Sequence, residues 1–79
     1  MLKLKRFLLQ FNIIVSSISK NLYQFNYNGK IYNLKYCPEL IPRLRYKLYS
    51  FNPVKRNFTL EFQGGVGMLL EFMKMKMER

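Results

Sequence analysis

The first part of the chain repeats its apolar side chains at steps of three and four positions. They are Leu4, Phe7, Leu8, Phe11, Val15, Ile18 and Leu22. This spacing places them on one stripe of an α-helix, so the pattern predicts an amphipathic helix over residues 1–22. We expect its apolar stripe to cover a sheet. The alternatives are a helix lying in a membrane interface and an uncleaved address resembling a mitochondrial transit peptide.

Residues 23–36 have the pattern of a β-hairpin. Asn28-Gly29 is the preferred loop of a type I′ turn, because both central residues of that turn need positive φ. Closing the loop there gives three facing pairs on one side of the ribbon, namely Tyr23–Leu34, Phe25–Tyr32 and Tyr27–Lys30. The opposite side then carries Gln24, Asn26, Asn33 and Lys35, with Ile31 as an apolar exception. Side-chain alternation therefore predicts one largely aromatic face that needs covering.

A second alternation runs from Arg43 to Tyr49 and predicts a strand, after a connection bracketed by Pro38 and Pro42. One side carries Leu44, Tyr46 and Leu48, and the other carries Arg43, Arg45, Lys47 and Tyr49. The second row spaces its cations by about 6.5–7 Å, comparable with successive phosphates of a nucleic-acid strand. It ends in a ring that could stack on a base. The alternative is that this row is only the solvated side of a half-buried sheet.

The last part of the chain offers two interpretations. Asn52-Pro53 predicts a turn, with Lys55 and Arg56 at its end. Residues 57–63 alternate, so Phe58, Leu60 and Phe62 are expected to face the core. A loop over residues 64–66 would pair these three with Phe72, Leu70 and Met68, which favours a strand over residues 68–77. A helix is the alternative, because Met, Leu, Glu and Lys favour helices. Lys74 and Lys76 are placed near the partner surface.

Charge indicates the class of partner. The 79 residues form one small domain, over residues 1–79, with little core of its own. Fourteen Lys and Arg stand against four acids, all Glu, giving a formal net charge of +10. A charge of this size repels itself in a compact state, so we expect a polyanion to neutralise it. The alternative is that the charge serves solubility alone.

The residue types present argue against catalysis. The chain has no His and no Asp, and its four Glu are far apart in sequence, so no acid–base or nucleophile–base pair can be assembled. A single Cys37 excludes an internal disulfide and a self-contained zinc site, and such a residue is usually a small buried hydrophobe. We therefore expect no enzyme activity, no cofactor, no metal and no small-molecule substrate. Richness in Asn, Tyr, Phe, Lys and Ile is typical of an AT-rich, organelle-encoded gene.

Three segments resemble a shortened, divergent small-subunit ribosomal protein eight. They are IYNLKY, which closes the hairpin, RYKLYSFNPVKRNFTL, and GVGMLLEF, which takes the place of a glycine-spaced apolar strand in that family. The resemblance spans roughly residues 16–72 and implies binding to ribosomal RNA of the small subunit. The family's RNA-contacting loop, rich in Ser and Thr, corresponds here to MKMKMER, which has neither residue. Its final strand has no counterpart, so the contacts made by its hydroxyl groups are not carried over.

These observations predict an α+β fold, with one N-terminal amphipathic helix packed on an antiparallel sheet of about five short strands. The predicted function is a structural constituent of an organellar, mitochondrial matrix ribosome, with ribosomal RNA and neighbouring ribosomal proteins as partners. Phosphate neutralisation would supply most of the affinity. The residues expected to bind RNA are Arg43, Arg45, Lys47, Tyr49, Lys55, Arg56, Lys74 and Lys76. Alternatives are an accessory subunit of a mitochondrial respiratory membrane complex, which alone would involve membrane contact, and a free single-stranded nucleic-acid binder.

Overall fold

The computed structural model describes residues 2–78, which form a five-stranded antiparallel sheet and two α-helices. In chain order the elements are α1 (Leu2–Leu9), β1 (Ser16–Ser19), β2 (Leu22–Tyr27), β3 (Lys30–Tyr36), a 3₁₀ turn (Pro42–Leu44), β4 (Tyr46–Asn52), β5 (Asn57–Gly64) and α2 (Val66–Met77). Each strand pairs with the strand that precedes it, in the order β1-β2-β3-β4-β5. The predicted fold class, an N-terminal helix with a five-stranded antiparallel sheet, is confirmed.

The hairpin forms in the predicted register. Tyr27 pairs with Lys30, and the two strands continue in step from there to Leu22 and Lys35. Asn28 and Gly29 have φ of 53° and 75°, as the type I′ turn requires. The rings of Phe25 and Tyr32 stack across the strands with their centroids 5.2 Å apart.

The N-terminal helix is much shorter than predicted, because it ends at Leu9; Met1 lies outside the described residues. Asn12 takes a left-handed φ of 59°, and its N–H donates to Leu9 O at 3.0 Å. The N–H of Ile13 donates to Leu8 O at 3.1 Å. These two bonds form a Schellman motif, in which an Asn replaces the usual Gly, and the buried Ile13 and Leu8 supply its hydrophobic contact.

Part of the segment predicted as helix instead forms the edge strand β1. Ser16 and Ser17 pair with Gln24 and Tyr23 of β2. Serine and β-branched residues dominate residues 13–19 and are poor helix formers. Asn21, with a φ of 63°, then allows a tight turn into β2. The apolar spacing of three and four in this segment was therefore not a helical stripe.

Both helices pack on the aromatic face of the hairpin. The buried core consists of Leu4, Leu8, Ile13, Phe25, Tyr32, Leu34, Leu48, Leu69, Met73 and Met77. The expected covering of the sheet by the N-terminal helix is thus confirmed, but α1 supplies only two of these side chains, Leu4 and Leu8. Cys37 is also buried, as expected of a lone cysteine.

Residues 66–77 form a helix, so the strand predicted over residues 68–77 is wrong and its alternative is right. The ring of Phe62 meets that of Phe72 from α2 at 5.2 Å, instead of facing Met68 on a paired strand. High helix propensity prevails here because α2 can bury one stripe of side chains on the sheet. The fifth strand of the sheet is consequently β1.

A β-bulge at Glu61 changes which side chains of β5 face the core. Leu48 pairs with Phe62 but the next residue, Tyr49, pairs with Leu60, so Glu61 is the extra residue. An extra residue reverses the alternation beyond it. Phe62 faces the helices as predicted, whereas the inward prediction for Phe58 and Leu60 is wrong, and these two side chains are 46% and 53% exposed.

Candidate nucleic-acid interface

Because both helices pack on one face of the sheet, no helix among residues 2–78 covers the other face. We call this the open face. Alternation along the paired strands places on it Gln24, Asn26, Ile31, Asn33, Lys35, Lys47, Tyr49, Phe51, Phe58, Leu60 and Gln63. None of these side chains is acidic. The open face therefore combines cations, amides and rings, of which Phe58 is exposed and Tyr49 and Phe51 are half-buried. Such groups meet phosphates and bases in nucleic-acid complexes.

Two lysines lie directly opposite each other on the open face. Lys35 of β3 pairs with Lys47 of β4. Like charges in directly opposed positions destabilise a sheet, because their Cβ atoms are only about 4.5–5.5 Å apart. Within residues 2–78 the only ion pairs are those of Lys30 and Lys76 with Glu61, so neither facing lysine is neutralised by this part of the chain. An anion bound between Lys35 and Lys47 would remove the repulsion.

Glu61 lies on the helix side of the sheet. Its carboxylate accepts a hydrogen bond from Ser50 and lies 3.3 Å from Lys30 Nζ and 3.4 Å from Lys76 Nζ. The Ser50 hydrogen bond, followed by the two lysines, holds the pKa of Glu61 below its usual value, although burial opposes this shift. The carboxylate thus stays charged and joins β4, β5, the hairpin tip and α2.

Beside the lysine pair the open face carries an aromatic patch, formed by Tyr49, Phe51 and Phe58. Phe51 and Phe58 pair across β4 and β5, with ring centroids 5.4 Å apart and planes at 63°. Tyr49 lies two residues before Phe51 on the same face and pairs with Leu60. The patch therefore runs along β4 from Tyr49, in the middle of the strand, to Phe51 and its partner Phe58, near the turn into β5.

The turn after β4 adds two cations at the end of the aromatic patch. Asn52 Oδ1 accepts hydrogen bonds from the backbone N–H groups of Val54 and Lys55 at 3.0 and 3.2 Å, which closes the predicted turn. Lys55 and Arg56 are exposed at its tip. This tip lies at the far end of β4 from Lys47, across five residues of strand, or about 17 Å.

The strand predicted from Arg43 begins only at Tyr46, so Arg43 and Arg45 do not alternate with Lys47. Residues 42–44 form a 3₁₀ turn that begins at Pro42. Arg45 follows this turn with α-helical φ and ψ of −70° and −25°. The side chain of Arg45 folds back, and its Nε donates to Leu40 O at 2.8 Å. The predicted row of three cations is therefore reduced to Lys47, followed by Tyr49.

Lys74 and Lys76 belong to α2 and lie on the opposite side of the sheet from Lys47 and Tyr49. Lys76 Nζ is held by Glu61 and also lies 5.6 Å from the centre of the Phe72 ring. Lys74 is exposed. The eight predicted residues thus occupy four places: the open face, its tip turn, the turn before β4 and the outside of α2.

Three residues of the open face were missed as binding candidates. The hairpin pattern had placed Lys35 on the polar side, and pairing β3 with β4 would have set it against Lys47. Phe51 lies two residues after the end of the predicted strand, so extending the alternation from Tyr49 by two residues would have placed it on the same face. Phe58 carried no such signal, because nothing in the alternation indicates the bulge at Glu61.

Residues 2–78 contain no group of three His, Cys, Asp or Glu side chains placed to hold a metal ion. No helix in the same range is long and apolar enough to cross a membrane. Comparison of the chain with protein-family models, with curated proteins and with solved structures finds no match.

Proposed function

We propose that this protein is a structural RNA-binding component of an organellar, mitochondrial ribosome. The observation that carries the proposal is the facing pair Lys35 and Lys47, on a sheet face to which the described strands contribute no acidic side chain. Lys55 and Arg56 add two exposed cations in the turn between β4 and β5. Phosphates are the anions that would relieve this repulsion while offsetting the net charge of +10.

The ribosome as the assembly is supported by the resemblance to small-subunit ribosomal protein eight and by the composition typical of an AT-rich gene. GVGMLLEF, which takes the place of a strand in that family, begins at Gly65 and forms the first part of α2. The resemblance therefore rests on the hairpin and on β4 and β5. A small basic domain with an unsatisfied surface is suited to an assembly whose RNA supplies the missing counter-charge.

The salt dependence of RNA binding tests the phosphate contacts. If Lys35, Lys47, Lys55 and Arg56 each neutralise one phosphate, the logarithm of affinity should fall against the logarithm of salt concentration with a slope of about −2.8 for single strands and about −3.6 for duplexes. Changing Lys35 and Lys47 together to Gln should reduce the steepness of the single-strand slope by about 1.4. The loss should be similar for all RNA sequences, because phosphates carry no sequence information.

A matched control removes the same charge from the helix side. Lys3 and Lys74 are exposed on α1 and α2, so the double change of both to Gln should leave the slope close to that of the natural protein. Equal slopes for the two double variants would mean that RNA binding depends on the total charge of the protein and not on a defined surface. Sedimentation of the native protein decides the assembly: it should travel with ribosomal RNA, and travel with inner-membrane complexes instead would favour the respiratory subunit.

A further inference from the structure

We infer that the aromatic patch, Tyr49, Phe51 and Phe58, is a stacking surface for the bases of unpaired RNA. The inference rests on the proposed RNA-binding function and extends it from phosphates to bases. Single-stranded nucleic acid is bound by grooves that combine cations for the backbone with rings on which successive bases stack. The open face has a cation and a ring on alternate residues of β4, Lys47 and Tyr49.

The bulge at Glu61 keeps Phe58 on the open face. With unbroken alternation from Phe62, Phe58 and Leu60 would face the helices and join the core. Instead they remain 46% and 53% exposed, beside Tyr49 and Phe51. Burying these side chains would have stabilised a small domain, because aromatic burial is a large source of stability. Their exposure instead leaves apolar area available for a partner.

The spacing of the rings suits a chain of nucleotides running along β4. Tyr49 and Phe51 are two residues apart on one face, a separation of about 6.5–7 Å. Phe58 broadens the surface across the neighbouring strand, with its ring centre 5.4 Å from that of Phe51. The rings thus offer neighbouring positions for adjacent bases, and sequence preference should be weak because every base has a π-face.

Cations at both ends of the patch favour RNA over an apolar protein segment as the occupant. The lysine pair lies at one end and Lys55 with Arg56 at the other, so a sugar-phosphate backbone following β4 would meet positive charge before and after the rings. Amides flank the path: Gln24 Nε2 donates to Asn33 Oδ1 at 3.1 Å, beside Tyr49. Such groups can also bond to the edges of splayed bases.

The test is fluorescence anisotropy with a labelled oligouridine of about 12 nucleotides, within the site size of single-strand-binding domains. Changing Tyr49 and Phe58 together to Leu keeps apolar side chains and every charge but removes two rings. We expect affinity to fall at least about fivefold, because stacking is lost. The salt slope should stay unchanged, because every phosphate contact is kept. The control is Tyr49→Phe with Phe58→Tyr, which keeps both rings and should retain natural affinity.

An abasic strand of the same length gives a second measurement that needs no variant. It carries the same phosphates without bases, so the natural protein should bind it less tightly than oligouridine. The Leu variant and the natural protein should bind the abasic strand about equally tightly. Unfolding curves of both double variants verify that the sheet is intact.

Three results separate this inference from the proposed function. If the Leu variant binds oligouridine as tightly as the natural protein does, bases do not stack on the patch, although the phosphate contacts can stand. If the natural protein binds no RNA, both ideas fail. If the Leu variant keeps its RNA affinity but loses a neighbouring protein during assembly, the patch is a protein-docking surface and the inference is overturned.

Discussion

Asparagine marks three of the four places where a residue other than glycine takes a positive φ within residues 2–78. Asn12 ends α1, Asn21 turns β1 into β2, and Asn28 begins the hairpin loop. Asparagine tolerates this region because its short amide can bond to the nearby backbone. The fourth position is Arg56, at the tip of β4 and β5. A long basic side chain is thus held at a strained turn beside the proposed RNA surface.

The same glycine-to-alanine change should have different effects at two positions. Gly29→Ala should lower the free energy of unfolding by about 1 kcal/mol or more, because an L-residue is strained at a φ of 75°. Gly67→Ala should cause little loss, because Gly67 lies in α2 and an added Cβ there would meet nothing within 4 Å. Chemical denaturation followed by circular dichroism measures both. An unchanged stability in Gly29→Ala would mean that the type I′ turn is not required.

Secondary structure was predictable from the sequence where turn chemistry and side-chain alternation agreed. The register of β2 and β3 followed from Asn28-Gly29 alone, and the aromatic face followed from that register. The end of α1 was missed because the apolar spacing of three and four continued past Asn12, which ends the helix in a left-handed conformation. Gly is the usual residue at this position and Asn is less common, so the apolar spacing outweighed the signal for a helix end.

The C-terminal part shows two further limits of the same kind. Both a strand and a helix could bury the apolar side chains after Gly65, and the helix forms because these residues have high helix propensity and can bury one stripe on the sheet. The bulge residue Glu61 contacts partners far along the chain, Ser50, Lys30 and Lys76, which no local alternation reveals. Lys47 and Tyr49 were placed on one face correctly, but the full open face required the position of every strand.

Adjacent leucines test whether α1 is part of the core. Leu8 is fully buried whereas Leu9 is 57% exposed, although both lie in the last turn of the same short helix. Leu8→Ala should lower the free energy of unfolding by about 2–5 kcal/mol, as large-to-small changes in a core do. Leu9→Ala should change it by less than about 0.5 kcal/mol. Urea denaturation of both variants measures the difference; similar small effects would indicate a helix that does not pack on the sheet.

Electrostatics divide the molecule into two sides. On the helix side, Glu61 binds Lys30 and Lys76 and links the sheet to α2. On the open face, Lys35 and Lys47 lie directly opposite each other. The sheet carboxylate therefore closes the fold, whereas the described part of the chain supplies no ion-pair partner to the facing lysines.

Acid should weaken the link made by Glu61. Its pKa is lowered in the folded state from an ordinary value of 4.5, so its contribution to stability is present above that pH and is lost as pH falls below it. Thermal unfolding between pH 6 and pH 3, about the range that spans this titration, should show a smaller loss in Glu61→Gln than in the natural protein. Glu71→Gln is the control, because Glu71 is exposed and makes no ion pair within residues 2–78. A Glu61→Gln variant as acid-sensitive as the natural protein would show that the carboxylate is not a stabilising link.

The order of the strands in the sheet also has a kinetic consequence. Because every strand pairs with its predecessor, no pairing has to wait for a distant segment, and loop-closure entropy is low at each step. During synthesis the sheet can grow one strand at a time, from β1 towards β5. The apolar core behaves differently, since Leu69, Met73 and Met77 arrive last and close over side chains already in place. Until α2 leaves the exit tunnel, a growing chain exposes its aromatic core face, which is when a chaperone that binds apolar surface would protect it most.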